Sequence, residues 1–291
     1  MILDRQYQPA GDELVYHYCR SDTFVQIVTS RTMWHTAYYV LNDLMEREWG
    51  YSIFEKAIEK FRQEIEQTKS ENSEQFFGRV VAAVKASYAY SVVMISCYSL
   101  DADVLSQWRA YGENGAGFAV GFSPKLVEMP AKQLRVLYEE EAQIQELLKN
   151  IRHTFGYEKS IGFKLDREFV SHWYNIGLDL CSYKNPSFRE EKEIRFAHLS
   201  GLSPQNEIVP FGAVDEAGKR LSEPIPIRFR IRDGAIVPYV VLDLTNGGKN
   251  QPVKEVVLGP KNENSELNVG LFLNTVGMKG VKIRRSHAPY R

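Results

Sequence analysis

The hydrophobic positions of the chain change period several times, and each change predicts a different element. Residues 14–19 are rich in β-forming side chains and predict a first strand, and the aromatic stretch 32–39 predicts a second extended segment. From Ser52 to Ala89 apolar residues recur every three or four positions, which predicts a helical insertion. A second helical segment is predicted at about residues 140–183 for the same reason.

The later part of the chain carries the signals of antiparallel strands. Residues 191–199 alternate, with Glu191, Glu193 and Arg195 on one face. Asp233-Gly234 lies between two apolar runs and predicts a tight hairpin, and Pro238 predicts that the second strand lies at an edge or carries a bulge. Strands and helices therefore interleave. We expect a single α+β domain over residues 1–291, with mixed or antiparallel sheets.

Composition and charge narrow the classes of function. The chain has 291 residues, with 36 Lys and Arg against 37 Asp and Glu, and its formal net charge is −1. Such a balance gives no overall attraction to nucleic acid or to an anionic membrane. The N-terminus has no basic segment followed by an apolar one, and the most continuous apolar run lies within residues 91–100, so we expect no signal peptide and no membrane span.

Cysteine and histidine usage points to a reducing compartment without a bound metal. The three cysteines are widely spaced, which predicts free thiols and a cytoplasmic location. The six histidines occur singly, so we expect no metal site built from local sequence. The chain also lacks the phosphate-binding glycine loops, the H-E-x-x-H zinc motif and the G-x-S-x-G nucleophile elbow.

Four local features remain as candidates for chemistry, although each is also compatible with ordinary core or surface. They are His17 in the first strand; the aromatic stretch that contains Tyr38 and Tyr39; the group Trp108, Arg109 and Tyr111 beside a glycine-rich turn; and the face formed by Glu191, Glu193 and Arg195. Glycines at residues 112–117 would let backbone approach a ligand closely.

Short motifs along nearly the whole chain match a known family. They are Val15 to Tyr18; Leu41-Asn42-Asp43 with Glu46; Ser96 to Ser99; Gln107 to Tyr111; Gly117 to Phe122; Val136 to Tyr138; Lys184-Asn185-Pro186; Glu191 to Arg195; Val257 to Pro260; and Ser286 to Arg291. On these motifs the chain is identified as a member of a bacterial family catalogued as domain of unknown function 2971. Membership implies no established activity.

A second resemblance suggests a reaction. A His on the first strand, a Tyr on the second and a Glu on a late strand are similar to the layout of His-Tyr-Glu ADP-ribosyltransferases, whose split β-sandwich clasps NAD. The resemblance implies that His17 binds the adenosine ribose, that Tyr38 or Tyr39 stacks on nicotinamide, and that Glu193 is catalytic, with Glu191 as its partner or substitute. The helical insertion at 52–89 departs from the smallest enzymes of this kind.

Three hypotheses about function follow. The first is an enzyme that uses NAD as a substrate, with a carboxylate that stabilises the sugar cation and Arg195 or Arg109 on the pyrophosphate. The second is a non-catalytic nucleotide- or peptide-binding module of a defence or stress system, anchored by Trp108 and Tyr111. The third is a metal-dependent hydrolase or nuclease that uses acidic residues: Asp43, Glu46, Glu191 and Glu193. The acceptor and the oligomeric state stay open.

Overall fold

The fold alternates strands and helices from end to end. A computed structural model describes Leu3 and residues 5–40, 45–210, 223–232 and 234–290. The strands are β1 (Val15–Cys19), β2 (Thr32–Ala37), β3 (Ser91–Ser99), β4 (Phe118–Phe122), β5 (Lys132–Arg135), β6 (Glu193–Leu202), β7 (Ile208–Val209), β8 (Arg228–Arg232), β9 (Ala235–Asp243), β10 (Val253–Leu258) and β11 (Lys282–Arg285). The α-helices are α1 (Ser21–Ser30), α2 (Glu46–Glu64), α3 (Glu71–Tyr90), α4 (Leu105–Ala110), α5 (Glu140–Ser160), α6 (Arg167–Asp179) and α7 (Glu266–Thr275).

The strands form one eleven-stranded sheet that branches at β3. One edge of β3 pairs with β6 over its whole length, from Ser91 to Ser99. The other edge pairs with β2 at Met94 and Ile95 and with β1 only at Ser99. Between these contacts the sheet splits into two wings, β1-β4-β10-β11 and β2-β9-β8. We call this opening the β1–β2 split.

The strand pairing confirms the predicted α+β class with a mostly antiparallel sheet. Among the named strands only β10 and β11 pair in parallel. The two wings share hydrogen bonds through β3, so they form one continuous sheet rather than the two sheets of a sandwich.

The predicted helical insertion is present as two helices, α2 and α3, which pack with α5 and α6 into a layer on one face of the sheet. The insertion begins at Glu46, earlier than the periodicity indicates. The polar break is an N-cap, because the Ser70 hydroxyl accepts a hydrogen bond from the Ser73 N–H at 3.2 Å. Aromatic side chains join the four helices, and Phe54, Phe76 and Trp173 are fully buried among them.

The opposite face of the sheet is covered mainly by α1 and α7. Phe24 of α1 stacks on Phe118 of β4 with ring centroids 4.1 Å apart, and Leu273 of α7 joins the same buried cluster. The side chains of Tyr98 and Phe196 extend this core across β3 and β6. The central strands are therefore buried on both faces.

Two local predictions differ from the structure. The second extended segment ends at Ala37, and Tyr38–Val40 form a turn of 3₁₀ helix. The hairpin of β8 and β9 is confirmed, with Ile231 opposite Ile236, although Asp233 lies outside the described residues. The placement of β9 at an edge is wrong, because β9 lies between β2 and β8. Pro238 is tolerated there because pairing with β2 ends at Tyr239, so its missing N–H breaks no bond to β2.

Candidate functional site

Five charged side chains meet where β6 begins, on the face of the sheet that the helical layer covers. We call them the ionic cluster: Glu46, Lys184, Glu191, Glu193 and Arg195. Glu46 begins α2, Lys184 follows the last turn after α6, and Glu191 ends the 3₁₀ turn Pro186–Glu191 that leads into β6. All five are buried, and Arg195 is fully so. Buried charges are rare unless they are paired, which marks this region for attention.

Arg195 makes four hydrogen bonds inside the protein. Its Nε donates to Glu193 Oε1 at 2.8 Å and its Nη2 to Glu193 Oε2 at 2.9 Å. Nη2 also donates to the Glu46 carboxylate, and Nη1 donates to the Cys181 carbonyl. The guanidinium is therefore committed to internal partners, and in this arrangement it does not reach a pyrophosphate.

Lys184 is the second cation of the cluster. Its Nζ lies 2.5 Å from Glu191 Oε2, 3.0 Å from Glu193 Oε2 and 3.9 Å from Glu46 Oε1. Three carboxylates thus share two cations, and the fully ionised cluster carries a net charge of −1. One surplus negative charge must be held in a poorly solvated place.

The three carboxylates respond differently to this surplus. Burial raises the pKa of Glu193, but Arg195 and Lys184 outweigh burial and hold that pKa well below its usual range. Burial raises the pKa of Glu46 and of Glu191, and the two cations do not reverse the shift. Glu193 is therefore the fixed anion between the cations, and the proton affinity of the cluster resides in Glu46 and Glu191.

Glu191 lies at the open side of the cluster. Its side chain keeps 11% of its exposure, and the hydroxyl of the exposed Tyr111 lies 3.5 Å from its Oε1. Two local signals place Glu191 there. Asn185 caps the 3₁₀ turn by accepting from the Ser187 N–H at 2.9 Å, and Lys192 reverses the chain into β6 with a φ of 44°.

His17 lies at the β1–β2 split. Its Nδ1 is 2.8 Å from the Cys97 carbonyl oxygen. Since a carbonyl only accepts, Nδ1 carries the proton in this bond, and Nε2 is left as an acceptor when the ring is neutral. Burial lowers the pKa of His17; the Cys97 bond opposes this shift and Arg230 adds to it, so the neutral ring is favoured.

The structure does not bring His17 and Glu193 onto one face of the sheet. Glu193 is opposite Ser99 and faces the helical layer, whereas the His17 ring contacts Tyr98, which faces the α1 side. Both approach Cys97, because its carbonyl accepts from His17 and its thiol is hydrogen-bonded to Glu193. A pocket lined by His17 and Glu193 together, as the His-Tyr-Glu resemblance implies, is not formed here.

Tyr38 and Tyr39 line the same cavity, beside the ionic cluster. The Tyr38 ring lies 5.6 Å from the Arg195 guanidinium carbon, while its hydroxyl points away from any protein partner among the described residues. Tyr39 is exposed on the rim. The Tyr38 ring is thus close to Arg195, which pairs with Glu193, whereas the His17 ring lies on the α1 face of the sheet.

Trp108 and Arg109 lie in contrasting environments. The Trp108 ring is fully buried, its Nε1 donates to Asp103 Oδ1 at 2.7 Å, and its ring meets Tyr18 edge-on at 4.8 Å. That environment leaves no ring face for a ligand. Arg109 is exposed, with its guanidinium carbon 5.7 Å from the Tyr290 ring centroid. Of this group only Tyr111 contacts the ionic cluster.

A second polar group, the histidine cluster, lies on the α1 face and consists of His17, His35 and His198. His35 Nε2 is 3.1 Å from the Ser96 hydroxyl, and His198 Nδ1 is 2.7 Å from the Pro130 carbonyl oxygen. Burial, with smaller contributions from His198 and His17, lowers the pKa of His35 to about 3. The sequence analysis missed His198, because an isolated histidine in a strand gives no signal of its neighbours.

The acidic set of the metal hypothesis converges only in part. Glu46, Glu191 and Glu193 come together, but they do so on Lys184 and Arg195. Asp43 lies outside the described residues. Within the parts of the chain that the structure describes, no three His, Cys, Asp or Glu side chains are arranged to hold a metal ion.

Lys184 is the site residue that reasoning about chemistry overlooked. It contacts all three carboxylates of the cluster, yet it lies in a turn without hydrophobic periodicity. The Lys184-Asn185-Pro186 motif marks this position only through the family resemblance.

Fold and site together define an α+β protein with a branched, mostly antiparallel sheet and a buried ionic cluster where β6 begins. Residues 107–196 match the model of the family described as Protein of unknown function (DUF2971). The match confirms the first resemblance. The matched segment contains Tyr111 and every member of the ionic cluster except Glu46. No curated protein and no solved structure matches the chain.

In the described parts of the chain, no helix combines the length and the apolar composition that crossing a bilayer requires.

Proposed function

We propose that this protein cleaves the bond between nicotinamide and ribose in NAD and transfers the ADP-ribose to an acceptor. The observation that carries the proposal is the position of Glu191, a carboxylate at the open edge of the ionic cluster. Its Oε2 lies 2.5 Å from the Lys184 ammonium nitrogen. Glu193 and Arg195 act as positioning residues. Glu193 pairs with Lys184, and Arg195 in turn holds Glu193 at the start of β6. The three free thiols suit a cytoplasmic site of action.

The chemistry needs one positioned carboxylate. As the carbon–nitrogen bond to ribose breaks, its electron pair leaves with nicotinamide and the sugar carbon becomes cationic. A carboxylate held in place stabilises that charge more than mobile water does. The acceptor nucleophile then bonds to the sugar carbon and releases its proton. The raised pKa of Glu191, caused by burial, makes this carboxylate a better base for that proton than an exposed glutamate.

The aromatic contact to the substrate is assigned to Tyr111. Its ring is exposed beside Glu191, and a flat exposed ring offers nicotinamide or adenine a stacking surface. His17 is assigned a positioning role instead of the ribose contact that the resemblance implies, because its Nδ1–H is used to fix the Cys97 backbone behind Glu193.

The test is nicotinamide release from NAD by the full chain, followed by chromatography with water or added protein as the acceptor. Glu191→Gln should lower kcat by about 10²-fold or more with unchanged folding, the range seen when one transition-state contact is removed. The exposed neighbour Glu190→Gln is the matched control and should retain activity. Full turnover by a folded Glu191→Gln variant, or no turnover by the wild type, contradicts the proposal.

A second candidate function, nucleotide binding without turnover, is favoured by an aromatic platform on the other wing. The rings of Trp34 and Tyr239 stack at 4.6 Å, and the Arg230 guanidinium carbon lies 5.0 Å from the Trp34 ring centroid. Arg230 Nη2 donates to the Thr36 hydroxyl at 3.1 Å. A cation beside stacked rings suits a base and its phosphate.

The two functions separate in one further measurement. If the platform is the functional site, NAD and ADP-ribose should raise the melting temperature without nicotinamide release, and Arg230→Gln should abolish the shift. Loss of the shift in Glu191→Gln but not in Arg230→Gln would assign the ligand to the ionic cluster instead.

A further inference from the structure

A cavity of about 230 Å³ lies between the start of β3 and helices α3 and α6, and Tyr38 lines it. Much of its wall is apolar. The lining includes Val92, Leu178 and Leu202, together with Tyr38, Tyr39 and Arg47. A dry cavity of about 150 Å³ binds benzene, whereas drug-sized ligands need roughly 300 Å³ or more. This cavity therefore fits a single substituted ring and is too small for a dinucleotide.

Two polar groups at this cavity are not saturated by the protein. The Tyr38 hydroxyl is buried and has no hydrogen-bond partner among the described residues. Arg47 donates from Nη2 to the Tyr88 carbonyl at 3.0 Å and lies over the Tyr88 ring, and no described carboxylate is within ion-pair distance of it. Among the described residues, then, neither the Tyr38 hydroxyl nor the Arg47 guanidinium has a partner that supplies negative oxygen, and both residues line one largely apolar cavity. A ligand that brings a negatively charged oxygen would satisfy both groups.

We propose that this cavity binds a small aromatic carboxylate, with its ring among the apolar wall residues and its carboxylate toward Arg47 and the Tyr38 hydroxyl. Burial raises the pKa of Tyr38 well above its usual value, so its hydroxyl keeps the proton that it would donate. An aromatic cation is disfavoured by Arg47. A neutral ring would gain the apolar contacts but leave the guanidinium without an anion, so charge decides the preference.

The site is independent of the proposed NAD cleavage. Glu191 and Tyr111 do not line the cavity, and neither does any other member of the ionic cluster. Loss of one function therefore leaves the other measurable, because nicotinamide release and binding of an aromatic acid are separate readouts on the same full-length chain.

The experiment compares benzoate with benzamide, which has nearly the same shape without the charge, by calorimetric titration and thermal shift. Wild-type protein should bind benzoate saturably, with a Kd on the order of 0.1 to 1 mM for a ligand of this size, and at least about tenfold more tightly than benzamide. Arg47→Gln should remove that preference and Tyr38→Phe should weaken binding. The exposed Arg79→Gln on α3 is the matched control and should bind like the wild type.

Two results would overturn the proposal. Benzamide binding as tightly as benzoate to the wild type would show that the cavity selects a neutral amide. No binding of benzoate at about 10 mM would show that the cavity takes no such ligand. Both comparisons use wild-type protein, so they decide the question even if Arg47→Gln fails to fold.

Discussion

The two faces of β3 and β6 bury polar side chains by opposite means. On the helical face the ionic cluster keeps its charges and pairs them, with Arg195 held by both oxygens of Glu193. On the α1 face the histidine cluster avoids charge, because burial lowers the pKa of His17, His35 and His198. The first arrangement depends on keeping each buried cation paired with an anion, whereas the second depends on the rings staying neutral.

The two clusters also differ in how their polar atoms are satisfied. The ionic cluster has one more carboxylate than cations, and Glu191, whose pKa is raised by burial, is its most exposed member. The histidine cluster retains buried atoms without partners among the described residues, Nδ1 of His35 and Nε2 of His198. A neutral imidazole with an unpaired nitrogen costs less in this buried environment than a charged imidazolium without an anion would.

The largest effect is expected from removing the cation at the centre of the ionic cluster. Arg195→Met keeps much of the side-chain volume but leaves Glu193 and Glu46 buried without their guanidinium. Breaking a buried pair from one side costs about 3 to 5 kcal/mol in unfolding free energy. Urea unfolding followed by circular dichroism measures this loss.

An exposed ion pair provides the control for Arg195. Arg152 pairs with Glu64 on the surface of the helical layer, and Arg152→Met should change the unfolding free energy by no more than about 0.5 kcal/mol. Equal losses for the two variants would mean that the ionic cluster contributes no more to stability than surface charge does.

The sequence predicted the local structure around these side chains better than the long-range contacts between them. Alternation placed Glu193 and Arg195 on one face of a strand, and the structure confirms that face. The same alternation could not say that this face lies under helices. The contact between Glu46 and Arg195 joins residues 149 positions apart, and local periodicity carries no information about such distances. The burial of Lys184 was not predicted for a different reason, because a residue in a turn has no periodic pattern that would indicate burial.

The second effect is a pH dependence that belongs to the histidine face. His35 has its pKa lowered from 6.5 to about 3 by burial, so between these values the unfolded chain binds a proton that the native protein does not. Stability should therefore fall as pH falls below 6.5, with a slope of up to about 1.4 kcal/mol per pH unit from this one group. Unfolding free energies of wild type and His35→Gln between pH 4 and pH 7 isolate the slope.

The exposed His153→Gln provides the reference for His35, because it removes an imidazole from the surface of α5. Its slope should match that of the wild type, while that of His35→Gln should be flatter at acid pH. An NMR titration of the His35 ring follows the same proton directly. A ring that titrates near pH 6.5 in the folded protein would remove the contrast between the two faces.

The smallest effect is expected at the edge of the ionic cluster, and it sharpens the distinction within that cluster. Glu191→Gln removes the surplus negative charge, and Lys184 keeps Glu193 at 3.0 Å as its partner. Burial raises the pKa of Glu191, so ionising this side chain opposes folding at neutral pH, and a neutral amide avoids that opposition. We expect a change in unfolding free energy of less than about 1 kcal/mol, against about 3 kcal/mol for Glu193→Gln, which strips both cations of their shared anion.

If Glu191→Gln is as damaging as Glu193→Gln, both glutamates are structural, and a loss of turnover in Glu191→Gln would no longer identify a catalytic residue. If Glu191→Gln is stable and inactive, the cluster has one carboxylate that can be spared by the fold and not by the reaction.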